Sequence, residues 1–152
     1  MSRYLSIIFG LIITLSVSLT ASPAMAATGL SDGHLQPCPE SPNCVVSQDG
    51  DEKHSVEPIT YSGDRNEVKS ALLKVLSVVP RTEVVEDTGD YIRTESTSRL
   101  FKFVDDAEFY FPEDENVIQV RSASRVGESD LGVNRRRIEQ IRLALADLLG
   151  SN

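Results

Sequence analysis

The side chains that could do chemistry concentrate in two stretches, around residues 101–111 and around residues 120–137. The first contains the carboxylate Asp105 between phenylalanines, and the second contains hydroxyls, an amide and several arginines. An ionised carboxylate that leaves water needs a charged or hydrogen-bonding partner, so we expect the two stretches to meet. The predicted polar cluster consists of Asp105, Ser122, Ser124, Arg125, Asp130, Asn134 and Arg135.

This polar cluster has two interpretations. It is either a buried network that ties a hairpin to a helix, since such networks can fix register in a core, or a small pocket for an anionic ligand. In the pocket, arginines and the N–H groups after Asp130 would face the anion. We favour the network, because satisfied polar groups are common in folded domains.

Cysteines and histidines are the other reactive side chains. Cys38 and Cys44 lie six positions apart among prolines, and we predict a disulfide between them in an oxidising compartment. A zinc site of His34, Cys38, Cys44 and His54 has suitable ligand types, but its spacing matches no compact zinc motif. A redox pair would have Cys-x-x-Cys spacing. No phosphate loop or dinucleotide fingerprint occurs, so we predict neither a metal nor a cofactor.

Catalysis has little support in these residues. Alternation along a strand sends Asp106 and Glu108 to the face opposite Asp105, which disfavours a paired-carboxylate site. A Ser-His-Asp triad would need the segment carrying His34 and His54 to fold over the sheet. No Gly-x-Ser-x-Gly motif occurs either. We therefore lean towards a non-catalytic protein.

Hydrophobic periodicity predicts the elements that must position the cluster. A helix begins after Asp64, whose side chain can cap the first turn, and it ends at Pro80. Strands are predicted at residues 59–61, 81–86, 91–97, 100–111 and 117–124. A second helix, capped by Ser129 or Asp130, ends at Gly150.

The strand at residues 100–111 places apolar residues on the same face as Asp105. They are Phe101, Phe103, Ala107, Phe109 and Phe111. Matching this face to the apolar face of the returning strand fixes the register. The predicted facing pairs are Phe111 with Ile118, Phe109 with Val120, Ala107 with Ser122, and Asp105 with Ser124.

The last helix carries an apolar stripe with one polar member. The stripe consists of Leu131, Ile138, Ile141, Leu145 and Leu148. Asn134 lies four residues before Ile138 and therefore on the same side of the helix. This position directs the Asn134 amide towards the serines of the hairpin.

The order of these elements indicates one α+β domain. Antiparallel hairpins dominate, and two amphipathic helices cover one face of the sheet, so the architecture has two layers. Residues 27–58 are rich in Gly, Ser, Pro and Asp, and we interpret them as an irregular arm that carries the disulfide. The single domain is predicted at residues 59–152.

Residues 1–26 have the pattern of a secretory signal peptide. Arg3 precedes an apolar run at residues 5–19, and Ala24-Met25-Ala26 forms a cleavage motif. Removal takes away one base and no acid, so the net charge changes from −8 to −9. An uncleaved anchor is the alternative, although the run is short for a membrane span. No second stretch is long enough to span a membrane, so we expect an exported protein.

The acidic composition argues against a nucleic-acid partner. The chain has 25% charged and 40% hydrophobic residues, which suits a packed domain, but its net charge is −8. Arg135, Arg136 and Arg137 point in different directions around a helix, so they form no flat basic patch. The clustered basic surface that phosphate binding needs is therefore not predicted.

Three segments resemble a known family. They are residues 35–45, LQPCPESPNCV; residues 101–109, FKFVDDAEF; and residues 120–139, VRSASRVGESDLGVNRRRIE. Over about residues 35–149 the chain resembles the domain of unknown function 1499 family, exported proteins of bacteria and photosynthetic lineages. The resemblance implies the periplasm or the thylakoid lumen, and it supplies no catalytic residues.

Two functions from different classes follow as expectations. The first is a non-catalytic accessory protein that binds a protein or a membrane complex. The alternative is a carrier of an amphipathic small molecule or lipid, with a pocket between the Phe-rich sheet face and the last helix. A hydrolase is the least favoured, since it would need His54 within reach of Asp105 or a serine.

Overall fold

The computed structural model describes residues 27–150, and the predicted signal peptide at residues 1–26 lies outside them. The described part contains these elements in chain order: β1 Leu30–Ser31, β2 His34–Leu35, β3 Cys44–Val46, β4 Ile59–Thr60, α1 Arg65–Val78, β5 Thr82–Asp87, β6 Tyr91–Thr97, β7 Val104–Tyr110, β8 Val117–Ser124 and α2 Val133–Gly150. The helices and the four long strands lie within a few residues of their predicted positions.

Both helices begin at a side-chain cap. The Asp64 carboxylate accepts hydrogen bonds from the N–H groups of Asn66 and Glu67, as predicted for the start of α1. The Asp130 carboxylate accepts from the N–H groups of Gly132 and Asn134 before α2. Within residues 27–150, neither helix has an apolar stretch that could cross a membrane.

The main sheet is antiparallel and has the order β3-β8-β7-β6-β5, with β4 also paired to β8. Two facing pairs near the cluster, Ala107 with Ser122 and Asp105 with Ser124, confirm the predicted register of the central hairpin. Since side chains alternate along a strand, this register brings Asp105 and both serines to one face.

The two helices cover that face of the sheet, which confirms the predicted α+β fold. Phe109 and Phe111 have no exposed surface and pack with the apolar faces of α1 and α2. Burial of this continuous apolar surface supplies the main stabilisation of the domain. The core also includes Leu72 of α1 and Ile138 of α2.

The first part of the N-terminal segment lies on the opposite face of the sheet, whereas Val45 and Val56 pack into the helix-side core. The segment interpreted as an irregular arm contains three short strands, and β3 pairs with β8 at the edge of the main sheet. A second apolar cluster there contains Leu35, Val46 and Tyr91. The sulfur atoms of Cys38 and Cys44 lie 2.06 Å apart, which is a disulfide distance. Because Cys44 is the first residue of β3 and Cys38 precedes it, the bond ties the arm to the edge of the sheet.

Three apolar residues lie outside the core in which the sequence placed them. Phe101 and Phe103 are 73% and 50% exposed, because the chain turns before β7 begins at Val104. The N–H of Ser98 closes that turn on the carbonyl of Phe103 at 2.8 Å. Leu131 is 85% exposed and precedes α2. The prediction that these side chains face the core is therefore wrong.

Candidate functional site

The helix-covered face brings together four of the seven residues of the predicted polar cluster. The Ser122 hydroxyl donates to the Asn134 amide oxygen at 2.6 Å, and the Asn134 amide nitrogen donates to Ser124 Oγ at 3.0 Å. Asp105 joins them through Arg137, whose NH2 group donates to Asp105 Oδ2 at 2.6 Å. The convergence was predicted, and the cation that pairs with Asp105 lies outside the seven residues of the predicted cluster.

Asn134 is the centre of this network and is fully buried. Its amide nitrogen also donates to the backbone carbonyl of Asn43 at 2.9 Å, which links α2 to the segment before β3. Its amide oxygen accepts a second hydrogen bond, from Arg137. Buried polar groups that are satisfied in this way fix the packing of the elements they join.

The other three predicted cluster residues lie elsewhere. Arg125 and Asp105 are on opposite faces of the sheet, since Arg125 binds Asp106. Arg135 is exposed and donates to the backbone carbonyls of Lys53 and Ser55. Asp130 caps α2, so its carboxylate is occupied by N–H groups.

The residues considered for a zinc site or a catalytic triad have other contacts. The two cysteines are joined at disulfide distance. His54 is buried, with Nδ1 2.8 Å from Asp51 and Nε2 3.1 Å from the Ser41 carbonyl. Hydrogen bonds from His54 lower the pKa of Asp51. Both ring nitrogens of His54 therefore serve the arm rather than Asp105.

The face of the main sheet opposite the helices is covered by the N-terminal segment, and we call it the arm-covered face. It holds a charged pair that the sequence did not reveal. Arg121 NH1 lies 2.7 Å from Glu108 Oε2, and both side chains have no exposed surface. The Tyr91 hydroxyl and the Gly29 N–H donate to Glu108 Oε1 at 2.7 and 2.6 Å. Burial raises the pKa of Tyr91, and the neighbouring Glu108 raises it further.

A second charged group lies on the same face. Asp106 accepts two hydrogen bonds from Arg125, at 2.7 and 2.9 Å, and one from Arg93 at 3.0 Å. Burial alone would raise the pKa of Asp106, but these hydrogen bonds prevail and lower it. The bond to Asp106 in turn raises the pKa of Arg125. Glu95 also binds both arginines, so the group is internally paired.

Exposed apolar side chains gather at one end of the sheet, which we call the aromatic end. The rings of Phe101 and Phe103 stack with centroids 5.5 Å apart. The Arg125 N–H donates to the Val104 carbonyl, which places Val126 beside this loop. The aromatic end consists of Leu100, Phe101, Phe103, Val126, Leu131 and Val133, all at least 40% exposed.

The aromatic end also carries basic charge. Arg99 and Lys102 lie in the same loop as the phenylalanines. The other end of β7 leads into the acidic turn at residues 113–115. Lys102 and Leu131 have positive φ values of 57° and 53°. Long side chains rarely adopt this conformation, and such strain is concentrated at functional sites.

Comparison with known proteins places the chain in a family. The family model described as "Protein of unknown function (DUF1499)" matches residues 34–145. A search of curated proteins finds no match. The matched segment includes β3, all of α1, α2 as far as residue 145 and both charged groups of the arm-covered face, but not β1.

Proposed function

The chain belongs to the DUF1499 family, and we propose that it is an exported, non-catalytic accessory protein that binds a protein or membrane complex through the aromatic end. One observation carries this proposal. Phe101 and Phe103 are stacked and exposed beside Arg99 and Lys102, in a chain whose net charge is −8. Exposed apolar groups of this kind mark interaction surfaces.

The partner that fits the aromatic end has an apolar pocket with acidic groups around it. Aromatic side chains contribute large apolar area at an interface, so the partner offers an apolar pocket for the two rings. Arg99 and Lys102 favour acidic groups around that pocket. The loop that carries the two phenylalanines has two bases and no acid in a chain that is acidic overall, so this loop attracts an acidic partner that the rest of the chain repels.

The non-catalytic part of the proposal is supported by the polar groups themselves. Asn134 and Ser122 on the helix-covered face are occupied by hydrogen bonds within the fold. Glu108 is occupied by Arg121, Tyr91 and Gly29. A general base or nucleophile needs a free position for the reacting group, and these residues are committed to structure.

The carrier alternative has less support, because packed side chains fill the space between the sheet and the last helix where a pocket was expected. Phe109 and Phe111 are fully buried in the core, and Phe101 and Phe103 do not share their face. A ligand between this face and α2 would have to displace packed side chains, which costs several kcal/mol, on the order of a large core substitution. The accessory role therefore fits the structure better.

Membrane co-sedimentation tests the accessory role. Mature protein from residue 27 onwards would be mixed with salt-washed membranes of the source cells, with and without protease treatment of those membranes. We expect binding that is lost after protease treatment and falls about thirtyfold or more in the double variant Phe101→Ser, Phe103→Ser, since each ring contributes roughly 1–2 kcal/mol of apolar contact.

A matched variant controls for general loss of surface hydrophobicity. Leu143 is 68% exposed on α2, outside the aromatic end, and Leu143→Ser should bind as the wild type does. Equal sedimentation of the double variant would reject the aromatic end as the contact surface. Binding that survives protease treatment would replace the protein partner with lipid.

Export is part of the proposal and has its own measurement. The predicted leader implies a mature chain that begins at Ala27, in the periplasm or the thylakoid lumen. The intact mass of protein isolated from its own cells gives the first residue directly. A chain that retains residues 1–26 would instead favour the membrane anchor.

A further inference from the structure

An open cavity of about 370 Å³ lies between the end of α1, the start of α2 and the edge of the sheet. Its walls include hydroxyl residues of β5, β6 and the following loop, namely Thr82, Ser96, Thr97 and Ser98. Its volume is within the range of small-ligand sites. Among the described residues that line it, Asp105 is the sole carboxylate.

Four arginines line the same cavity: Arg81, Arg99, Arg136 and Arg137. Arg137 is matched by Asp105 at 2.6 Å, so those two charges cancel. Arg81 and Arg136 each donate to a backbone carbonyl, of Thr97 and Leu131, and these contacts hold the guanidinium without neutralising it. The cavity is therefore positive in a protein that is negative overall.

Arg99 is the most available of these groups. It is exposed, and in the part of the chain that the structure describes its guanidinium has no hydrogen bond or ion pair. Arg81 is held at a φ of 57°, a conformation that long side chains rarely adopt. A guanidinium binds the oxygens of phosphate or carboxylate through two parallel N–H donors.

An apolar groove of about 230 Å³ continues from this cavity between the two helices. The cavity and the groove share Val79, Pro80, Arg137 and Gln140. Beyond the shared residues, the groove is lined by Val75, Val78, Ile141 and Ala144. A basic cavity and an apolar groove thus adjoin along one line on the surface.

The geometry points to a binding site for a phosphate-bearing amphiphile. The phosphate oxygens lie among Arg81, Arg99 and Arg136, with hydroxyl donors from the β6 side, and a short alkyl chain lies in the groove. A phosphate has enough oxygens to engage more than one guanidinium, which suits this arrangement. The site shares Arg99 and Val133 with the aromatic end, but a soluble ligand tests it without the docking partner, so the two proposals can fail separately.

Titration with soluble probes tests this site without a membrane or partner. Hexyl phosphate and inorganic phosphate would be added to isotope-labelled mature protein at low salt, with amide shifts followed by NMR. We expect shifts at residues 97–99 and 133–137 and a dissociation constant for hexyl phosphate on the order of 1 mM, which is typical of a few solvent-exposed charged contacts. Absence of these shifts at 20 mM hexyl phosphate would overturn the proposal.

Charge variants show whether the arginines hold the phosphate. The double variant Arg99→Gln, Arg136→Gln should weaken hexyl phosphate binding about tenfold, because two charge-assisted contacts are lost. Lys74→Gln is the control, since Lys74 is exposed on α1 and lies in a different cavity. Equal weakening in the control would overturn the site in favour of general attraction by surface charge. Unchanged shift dispersion would show that each variant is folded.

A variant in the groove distinguishes the contribution of the alkyl chain to binding from that of the phosphate group. Val78 is 77% exposed, and the neutral change Val78→Ser should weaken hexyl phosphate binding severalfold while inorganic phosphate binding falls less. Equal loss for the two probes would reject the alkyl subsite. Vesicles with an anionic phospholipid then identify the source: binding to vesicles marks a lipid headgroup, and binding to the soluble probe alone marks a free phosphate ester.

Discussion

Two neighbouring carboxylates of this protein, Asp105 and Glu108, face opposite sides of the same strand and have opposite surroundings. Asp105 pairs with Arg137 at the margin of the helix-covered face, and each side chain keeps 13% of its surface exposed. Glu108 pairs with Arg121 under the arm, and neither side chain has any exposed surface. A carboxylate paired at the margin keeps part of its hydration, whereas a fully buried one relies on protein groups alone.

The two faces differ in how many hydrogen-bond partners the arginine of each ion pair has. Arg137 donates to Asp105, Ser122 and Asn134, so its cluster is a network of several partners. Arg121 donates to Glu108, but its Nε and NH2 atoms have no hydrogen-bond partner among the described residues. Arg121 therefore depends on one carboxylate, which makes the arm-covered face the more fragile of the two.

The largest expected effect follows from removing that carboxylate charge. Glu108→Gln leaves the Arg121 cation buried without a counter-charge, and we expect the free energy of unfolding to fall by about 3–5 kcal/mol. Asp105→Asn should cost less, roughly 1–2 kcal/mol, since Arg137 keeps its other partners and some water. Urea unfolding of the two variants in parallel measures this difference directly.

A double variant distinguishes the ion pair from the space it fills. Glu108→Leu with Arg121→Met removes both charges and keeps apolar volume, so we expect a smaller loss than for Glu108→Gln, about 1–3 kcal/mol, because the Tyr91 hydroxyl and the Gly29 N–H still lose their acceptor. A loss as large as that of Glu108→Gln would show that packing rather than charge is responsible. Equal effects of the Glu108 and Asp105 variants would remove the contrast between the faces.

The burial of Glu108 could not be predicted from its own strand. Alternation correctly places Glu108 opposite Asp105, and an outward face is ordinarily solvated. Gly29, which donates to Glu108, is 79 positions away in the chain, and no local pattern specifies that contact. The burial becomes evident only when residues 29–46 are docked on the sheet.

The next largest loss of stability is expected on the helix-covered face, when Asn134 is replaced. Asn134→Ala leaves the Ser122 and Ser124 hydroxyls, the Asn43 carbonyl and one Arg137 donor short of a partner, so we expect a loss of about 2–3 kcal/mol. Gln140→Ala on the exposed side of α2 should change stability by less than about 0.5 kcal/mol. Thermal unfolding of both variants measures the difference, and equal midpoints would mean that the network is dispensable.

Much of this face was predictable because its signals are local or follow from alternation. The Asp64 cap, the strand register and the position of Asn134 on the helix stripe each depend on short spacing in the sequence. Arg137, the partner of Asp105, was left out of the predicted cluster, although it lies three residues after Asn134 and hence near it on the helix. Extending the apolar alternation to Phe101 failed because the pattern does not show where the strand ends.

Removing the disulfide tests how much it stabilises the packing of the arm over Glu108. Replacing Cys38 and Cys44 by serine removes a short loop constraint, which the chain-entropy relation values at about 2 kcal/mol. The loss should concentrate on the arm-covered face, so hydrogen exchange should quicken at Gly29 and Val46 and stay unchanged at Leu72 of α1. Uniform quickening at all three amides would mean that the arm and the domain unfold as one unit.

The smallest expected effect is a pH dependence of the folding stability, caused by Asp106 and its arginine partners on the arm-covered face. Hydrogen bonds from Arg125 and Arg93 hold the pKa of Asp106 below its ordinary value of 3.8. The stabilisation is therefore fully present above pH 3.8 and is lost as the pH falls through the lowered pKa of the folded state. Because Arg93 and Arg125 are partly exposed, solvent screens the pair and keeps the effect modest.

Asp106→Asn shows whether this pairing stabilises the fold. At about pH 7 the variant should unfold at lower urea than the wild type, and the gap should narrow below pH 3.8 because protonation neutralises the wild-type carboxylate as well. Asp114→Asn, in the exposed turn after β7, should show little loss at neutral pH. A gap for Asp106→Asn that stays constant down to about pH 2 would assign its cost to geometry instead of charge. The pairing of Asp106 would then resemble the hydrogen-bonded network around Asn134, and the electrostatic contrast between the faces would rest on Glu108 and Arg121 alone.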